Sequence, residues 1–519
     1  MANIITDHHL SQFPKSYWHS HQTPHFTSLN QDETTEVAVI GGGMVGIVTA
    51  YLLLKAGKKV TLIEASEFIS GVTGNTTAKI SAQHGLIYHE LMQTFDKEKA
   101  RLYYEANRDG LDFIRATSKE LTIDCDFEEK EAVVFASSEK GRKQIEKEAR
   151  AYEELGIIGK LTLGQLDDLP FETDAALTMP NQAQFHPVKY LTGLLEAIER
   201  LGGKLYDQTR AVKLFKEANV VEMYTGAKLH YDNVVIATHY PFNDFDGLYF
   251  TKLSIERSYA IAAKINASLP SGMYISAESP KRSLRSIHTD SGEDLFLIGG
   301  DSHKTGKSNP PTQVHYENLA HFGKEWFELE SVSYHWSAQD MTTLDKVPYI
   351  GQMTHSSDNV FVATGFNKWG MAIGAFSGLL LTDIILGNEN LYKDLFDPTR
   401  NKLKTKDIER FSKKNAAVGK AFAATKLKRP DKTVDDLEPD EGGLVSVEGK
   451  KAGGYRDKQG DVHLVKTTCT HMGCGLKWND GERSWDCSCH GSRFSYSGEV
   501  LNGPAVKPLK KLDESNDEK

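Results

Sequence analysis

The sequence predicts a large α/β unit followed by a small all-β unit, with a charged linker between them. Three observations carry this prediction. An apolar strand, a run of glycines and an apolar helix follow one another between Glu36 and Ala56. Helical and strand-like segments then alternate as far as Leu386, as expected of a mostly parallel sheet covered by helices. Beyond residue 440 the chain turns Gly-rich, with short strands and turn signals, and four of the five cysteines lie there. A length of 519 residues suits roughly two to four domains.

The elements can be justified in order. Glu36 to Ile40 reads as a short buried strand, and the helix from Val45 to about Ala56 stops at Gly57. Lys59 to Ile63 is the next strand; it ends at Glu64 and completes a βαβ unit. Asp96 to Leu155 is helical and charged, broken by a strand at Ala132 to Ala136. Val188 to Leu201 is an amphipathic helix stopped by Gly202-Gly203. Short alternating strands follow and close with Asn233 to Thr238. Lys252 to Ile298 is strand-rich, and Asn359 to Thr364 runs through a glycine loop into the helix Ala372 to Leu386. Between Arg400 and Lys432 stand twelve Lys or Arg and three acidic residues, read as a solvated amphipathic linker helix, and Pro430 to Glu441 reads as a hinge.

Composition narrows the function. Apolar residues at 39% allow packed cores, and a net charge of −10 argues against a nucleic-acid partner. Met1 to Gln31 is polar with no apolar signal core. The apolar run Val37 to Leu54 is broken by glycines, and Ala372 to Leu386 is short and carries Asp383, so no membrane span is expected. A cytoplasmic location is the expectation.

Gly41-x-Gly43-x-x-Gly46 sits between strand and helix, the context in which this spacing binds a dinucleotide. The first glycine permits the tight turn, the second lets the backbone approach a pyrophosphate, and the third lets the helix pack on the strand. The phosphates lie at the helix N-terminus, where free N–H groups favour negative charge. Glu64, at the end of the next strand, is placed to bind ribose hydroxyls.

The chain resembles the D-amino-acid oxidase/glycine oxidase family of FAD-dependent oxidoreductases over about residues 34–392. The resemblance rests on the glycine motif with Glu64; on Gly71-Val72-Thr73-Gly74-Asn75-Thr76-Thr77; on Phe185-His186-Pro187-Val188-Lys189-Tyr190-Leu191; on Val234 to Thr238; and on Asp345 to Gly351 with Ala363 to Phe366 and Gly370-Met371-Ala372. It implies a Rossmann-like FAD-binding domain with an interleaved α+β substrate domain, and non-covalent FAD. The cofactor-binding residues it implies are Gly41, Gly43, Gly46, Glu64, Thr73, Asn75, Thr76, Thr77, Val212, Thr238, Gly370 and Met371. The helix opened by Gly370-Met371-Ala372 would aim its N-terminus at the N1/C2=O edge of reduced flavin. A histidyl link at His84 is the covalent alternative. Where members of the family often carry an arginine for the substrate carboxylate, after Trp336, this chain has Asp340, which suits a cationic amine better. Arg257, Arg282 and Arg285 are read as ordinary surface arginines that could supply a clamp from elsewhere. No catalytic base is evident.

Cys469-x-His471 and, fifteen residues on, Cys487-x2-His490 form the second site. Two thiolates and two imidazoles could hold zinc. One Cys and one His per loop suits better a [2Fe-2S] cluster with two thiolates on one iron and two imidazoles on the other. The segment resembles Rieske domains over residues 440–512, most closely those of quinol-oxidising respiratory and photosynthetic complexes. That resemblance implies Cys469, His471, Cys487 and His490 as ligands, a Cys474–Cys489 disulfide stapling the loops, Asn502-Gly503-Pro504-Ala505 as a third covering loop, and Ser492 as hydrogen-bond donor to a sulfide. Phe494 stands where high-potential relatives have tyrosine, which implies a less oxidising cluster. The ligand imidazoles of such domains are usually exposed at a domain tip. Cys125 is expected to be an ordinary buried thiol.

The expected boundaries are an N-terminal extension over 1–33, the FAD-dependent oxidoreductase over 34–397, a linker over 398–439, the Rieske domain over 440–512 and a tail over 513–519. Within the oxidoreductase, FAD-binding segments (about 34–95, 180–245 and 335–392) alternate with substrate segments (about 96–179 and 246–334). The expected chemistry is oxidation of an amine or amino-acid-like C–N bond, with electrons leaving singly through the cluster to an unknown acceptor. The alternatives are an electron-transfer or redox-sensing protein without a small substrate, and electrons running inward through the Rieske domain.

Overall fold

The computed structural model describes residues 13–400 and 432–512, with 418, 419, 422 and 430 as isolated positions. The expected linker helix lies almost wholly outside the described residues.

The first sheet has eight strands. Its main path runs Tyr349–Gln352, Val360–Thr364, Lys228–Ile236, Glu33–Ile40, Val60–Ile63 and Lys204–Tyr206, with the hairpin Ala211–Phe215/Val220–Met223 added beside Lys228–Ile236. Glu33–Ile40 pairs in parallel with Val60–Ile63 on one side and Lys228–Ile236 on the other. Val37 to Ile40 is a continuous buried run, as central parallel strands covered on both faces require. Met44–Lys55 and Ala372–Leu386 are apolar on nearly every face because they pack on the sheet and on each other. Pro187–Arg200 is one-sided, and its apolar face meets Met44–Lys55.

The second sheet has nine strands. Its path runs Leu329–Thr342, Ser254–Ile265, Asp294–Lys304, Arg282–His288, Met273–Ser276, Glu128–Ala136, Ala175–Gln184 and Lys79–Ile80, with Lys160–Leu163 on Ala175–Gln184. The substrate-side sheet therefore takes Lys79–Ile80 and residues 335–342 out of the segments expected on the dinucleotide side. Strand pairing explains this, because Leu329–Thr342 pairs along its whole length with Ser254–Ile265.

The C-terminal unit has two four-stranded sheets, Lys432–Thr433 to Val462–Val465 and Leu476–Asn479 to Val500–Asn502. It begins earlier than expected. Lys432–Thr433 pairs with Val445 and Ser446, and Leu437 is buried in the small core with Val445 and Leu464, so the residues read as a hinge belong to the β unit. The described part of the N-terminal extension, from residue 13, packs on the first unit: Tyr17 and Trp18 are buried in the main core.

Candidate functional site

One cavity of about 1930 Å³ joins the two units. Gly41, Gly43, Glu64 and the loop Gly71 to Thr77 line one end, and Thr238, Gly370 and Met371 line it further on. Gly41 has φ +115°, and a Cβ on Gly46 would stand 1.9 Å from the Gly41 carbonyl oxygen. The turn and the close helix–strand approach therefore both demand glycine. Gly46 does not line the cavity and acts through this packing. The Glu64 carboxylate accepts from the Gly42 and Ser66 amides at 2.8 and 2.9 Å, and the Thr73 hydroxyl accepts from the Met44 amide at 3.2 Å. Val212 is one residue beyond the lining Ala211, so only its neighbour lines the space.

The loop after Gly71 is held from behind. The carbonyls of Gly74, Asn75 and Thr76 accept from Ser16, Trp336 and Trp18, and those of Thr77 and Ala78 from Arg285. Five successive carbonyls are thus satisfied by side-chain donors, which leaves the loop compatible with an anionic pyrophosphate. Asn75 turns its amide back onto Ser70 and Gly71 and shapes the loop with it. Sequence reading missed Ser16 and Trp18. The available signal was a tryptophan standing in a polar extension.

On the substrate side, Arg257, Arg282 and Arg285 are buried, which corrects their reading as surface arginines. Arg285 braces the loop. Arg282 meets Asp301 at 3.3 Å. Arg257 lines the cavity and donates to Ser337 at 2.7 Å and Gln339 at 3.1 Å. Asp340 also lines the cavity, and burial pushes its carboxyl up despite nearby His239 and Lys368. His84 stacks on Trp369 with both ring nitrogens engaged, by the Tyr103 hydroxyl and the Ser81 carbonyl, and burial lowers it to about 3.

In the C-terminal unit Cys474 and Cys489 form a disulfide, and Cys469 and Cys487 are left as thiols. The sulfurs of Cys474, Cys487 and Cys489 lie within 4.8 Å of one another. Cys487 hydrogen-bonds the Cys469 sulfur, which lowers the Cys469 thiol and raises Cys487. The His471 and His490 rings meet at right angles, 5.2 Å apart. Two adjacent thiols and two adjacent imidazoles fit a [2Fe-2S] donor set. Ser492 touches the Cys469 sulfur and accepts from the Ala505 amide at 3.0 Å. Phe494 is fully buried, and so is Cys125.

The imidazoles are not at an exposed tip. The His471 side chain is 6% exposed, with Nε2 3.3 Å from Asp244, and Phe245 and Phe250 pack on His471 and His490. The physical reason is docking onto the first unit. Gln339 donates to the Gly491 carbonyl at 2.8 Å, Arg210 to the Val500 carbonyl at 3.1 Å, and the Tyr316 hydroxyl to Glu482. Arg493 and the loop Leu501 to Val506 line the same cavity as Gly41 and Gly370.

Comparison with known proteins accords with this geometry. A family model described as FAD dependent oxidoreductase (DAO) matches residues 36–384, and one described as Rieske [2Fe-2S] domain matches 429–513. The Rieske 2Fe-2S iron-sulfur protein YhfW of Bacillus subtilis is 42% identical over 99% of this chain and 100% of its own. Gamma-glutamylputrescine oxidoreductase of Escherichia coli is 21% identical over 74% of this chain and 90% of its own. Glycine oxidase from Geobacillus kaustophilus superposes with a TM-score of 0.60 at 19% identity, covering 71% of this chain and 99% of that one. No described helix is long and apolar enough to cross a membrane.

Proposed function

The chain belongs to the FAD-dependent oxidoreductase family and carries a C-terminal Rieske [2Fe-2S] domain, and from that premise we propose that it oxidises an amine-type C–N bond and passes the electrons through the cluster to a separate acceptor. The observation that carries this reading is the shared cavity, in which the third loop of the Rieske domain and the glycine turn of the FAD domain are walls of one space. A one-electron cluster whose covering loop lines the flavin cavity has no role in an oxidase that hands electron pairs directly to oxygen.

In this reading Cys469, His471, Cys487 and His490 hold the cluster. Asp244 engages Nε2 of His471 and leaves Nδ1 for iron. Gly41, Gly43 and the backed loop Thr73 to Thr77 hold the pyrophosphate, Glu64 the ribose, and the helix begun at Met371 faces the flavin. When bound, FAD would supply two-electron oxidation of a C–N bond together with one-electron release, which suits a one-electron cluster. It is held non-covalently, since both nitrogens of His84 are engaged. Asp340 faces the cationic substrate. The relatives named for glycine and gamma-glutamylputrescine support a substrate with an amino group.

An anaerobic screen of amines and amino acids tests this. The expected result is flavin bleaching first and cluster reduction second. Cys487→Ser should keep the first phase and lose transfer to external acceptors. Cluster reduction by an external donor before any flavin change, with no response to any amine, would overturn the proposal in favour of inward electron flow.

A further inference from the structure

The surroundings of the cluster ligands come from both units. The chain leaves the first sheet after strand Lys228–Ile236, and the loop that follows meets the ligand loops. His239 has φ +61°, and its Nε2 bonds the Gln339 carbonyl at 2.9 Å. The Thr364 hydroxyl donates to the His239 carbonyl at 2.5 Å, and the Thr238 hydroxyl to the Tyr240 carbonyl at 2.7 Å. The turn is therefore pinned on both sides. Tyr240 is 3% exposed and lines the cavity. Its hydroxyl donates to Asp244 at 3.2 Å, and a Cβ on Gly503, in the third Rieske loop, would stand 3.9 Å from it. Asp244 is 1% exposed, and its carboxylate oxygens lie 3.4 and 3.3 Å from Nε2 of His471. Among the described residues no Lys or Arg pairs with this carboxylate. Asp246, two residues on, is exposed and is met by Lys216 at 3.1 Å and Asn243 at 2.6 Å. Asp244 is thus a buried carboxylate of the first unit that faces a cluster ligand of the second.

We propose that Asp244, held by Tyr240, is a positioning residue that the FAD-binding unit supplies to the Rieske cluster, where it fixes the His471 ring and lowers the cluster's potential. The inference rests on the ligand set given above, and on neither the substrate nor the direction of electron flow. An N–H donated from His471 to a carboxylate fixes the tautomer and makes the iron-facing nitrogen a stronger donor. Reduction adds one electron to the cluster, so a negative group beside a ligand favours the oxidised, more positive form. This acts in the same direction as Phe494 in the place of a tyrosine. Because Asp244 belongs to the first unit, the potential is a property of the docked pair and not of the Rieske segment alone.

The test is a dye-mediated redox titration of the whole protein at fixed pH, with dithionite as reductant and the EPR signal of the reduced cluster as readout. Asp244→Asn keeps the size of the side chain and an acceptor oxygen but removes the charge. Its cluster should be at least tenfold easier to reduce at equilibrium, a rise of about 59 mV for one electron. Tyr240→Phe leaves the carboxylate in place and should shift the equilibrium the same way by less; it carries the test if Asp244→Asn holds no cluster. Asp246→Asn removes the same formal charge nearby and should shift the equilibrium less than twofold. A merely structural Asp244 would change cluster content and leave the potential alone. A wild-type potential in Asp244→Asn, or in Tyr240→Phe where only that variant keeps its cluster, would overturn the proposal, as would an equal shift from Asp246→Asn. A wild-type protein without a Rieske EPR signal would overturn the ligand set together with the inference. No amine enters the titration, so failure of the amine reading is separately visible.

Discussion

Glu482→Ala probes the joint between the two units. Glu482 lies in the turn between Leu476–Asn479 and Ser484–Cys487, and its carboxylate is buried. It accepts from Arg493 at 2.7 Å and from the hydroxyl of Tyr316, which belongs to the first unit. Burial alone would push the carboxyl up; Arg493 and Arg257, with the hydroxyls of Tyr316 and Ser337, outweigh it and hold the group below the usual carboxylate range. The carboxylate is therefore charged. Removing one partner of a buried pair costs about 3–5 kcal/mol, and Arg493 keeps Asp486 at 3.6 Å, so the lower end, about 3 kcal/mol, applies. In a domain of this size about 1 kcal/mol is worth roughly 4–8 °C, which puts the fall in the cluster-bleaching transition at roughly 12–24 °C. Tyr316→Phe separates docking from Rieske stability. It removes only the bond across the interface, about 1.5–3 kcal/mol to a charged acceptor, and should slow flavin-to-cluster transfer while moving the cluster melt less. Thermal melts followed by cluster absorbance, with stopped-flow reduction at each centre, make the measurement. A Glu482→Ala protein that melts within about 2 °C of wild type and transfers electrons at the wild-type rate would refute the claim that this carboxylate joins the units.

Three further outcomes are expected. Trp18→Ala removes a side chain that is 1% exposed and donates to the Thr76 carbonyl at 2.8 Å; the loss of about 3–5 kcal/mol should loosen the Gly71–Thr77 loop and appear as weaker FAD retention in apoprotein titration. Phe494→Tyr adds a hydroxyl in a fully buried site; one hydrogen bond to a cluster sulfur, about 1.5–3 kcal/mol, should raise the potential by roughly 65–130 mV in a redox titration, and an unchanged value with the cluster intact would mean the ring does not face the sulfur. Glu148 is raised to about 7 by burial, against hydrogen bonds from the amides of His89, Tyr88 and Ile87. A raised folded pKa binds the proton more tightly in the native state, so its contribution is fully present below the ordinary value of 4.5 and is lost as pH climbs to about 7. Glu148→Gln should flatten that part of the melting-temperature profile, and a profile identical to wild type would contradict the assignment.

The parts legible in the sequence share a cause: their chemistry is local. Gly41 to Glu64 is one βαβ unit, in which turn, helix start and carboxylate are tied together by consecutive backbone. Cys469 with His471, and Cys487 with His490, are likewise paired within single loops, so spacing alone carried the ligand pattern. The continuous apolar letters of Val37 to Ile40 and Ala372 to Leu386 also reported burial directly. Tertiary structure decided whatever depends on which distant surfaces meet. Nothing near His471 in the chain announces Asp244, and nothing near Gly491 announces Gln339; these contacts exist because the Rieske domain docks, and docking turned the imidazoles from a tip into an interface. Arg257, Arg282 and Arg285 sit in strands and are buried against remote partners (Gln339, Asp301 and the Thr77 and Ala78 carbonyls), and a polar letter in a strand says which way a side chain points, not whether water waits there. Trp18 and Ser16 reach a loop almost sixty residues away, and the strand Lys432–Thr433 belongs to the β unit through pairing alone. Sequence names groups that act with their chain neighbours, and only packing shows which remote groups displace solvent around them.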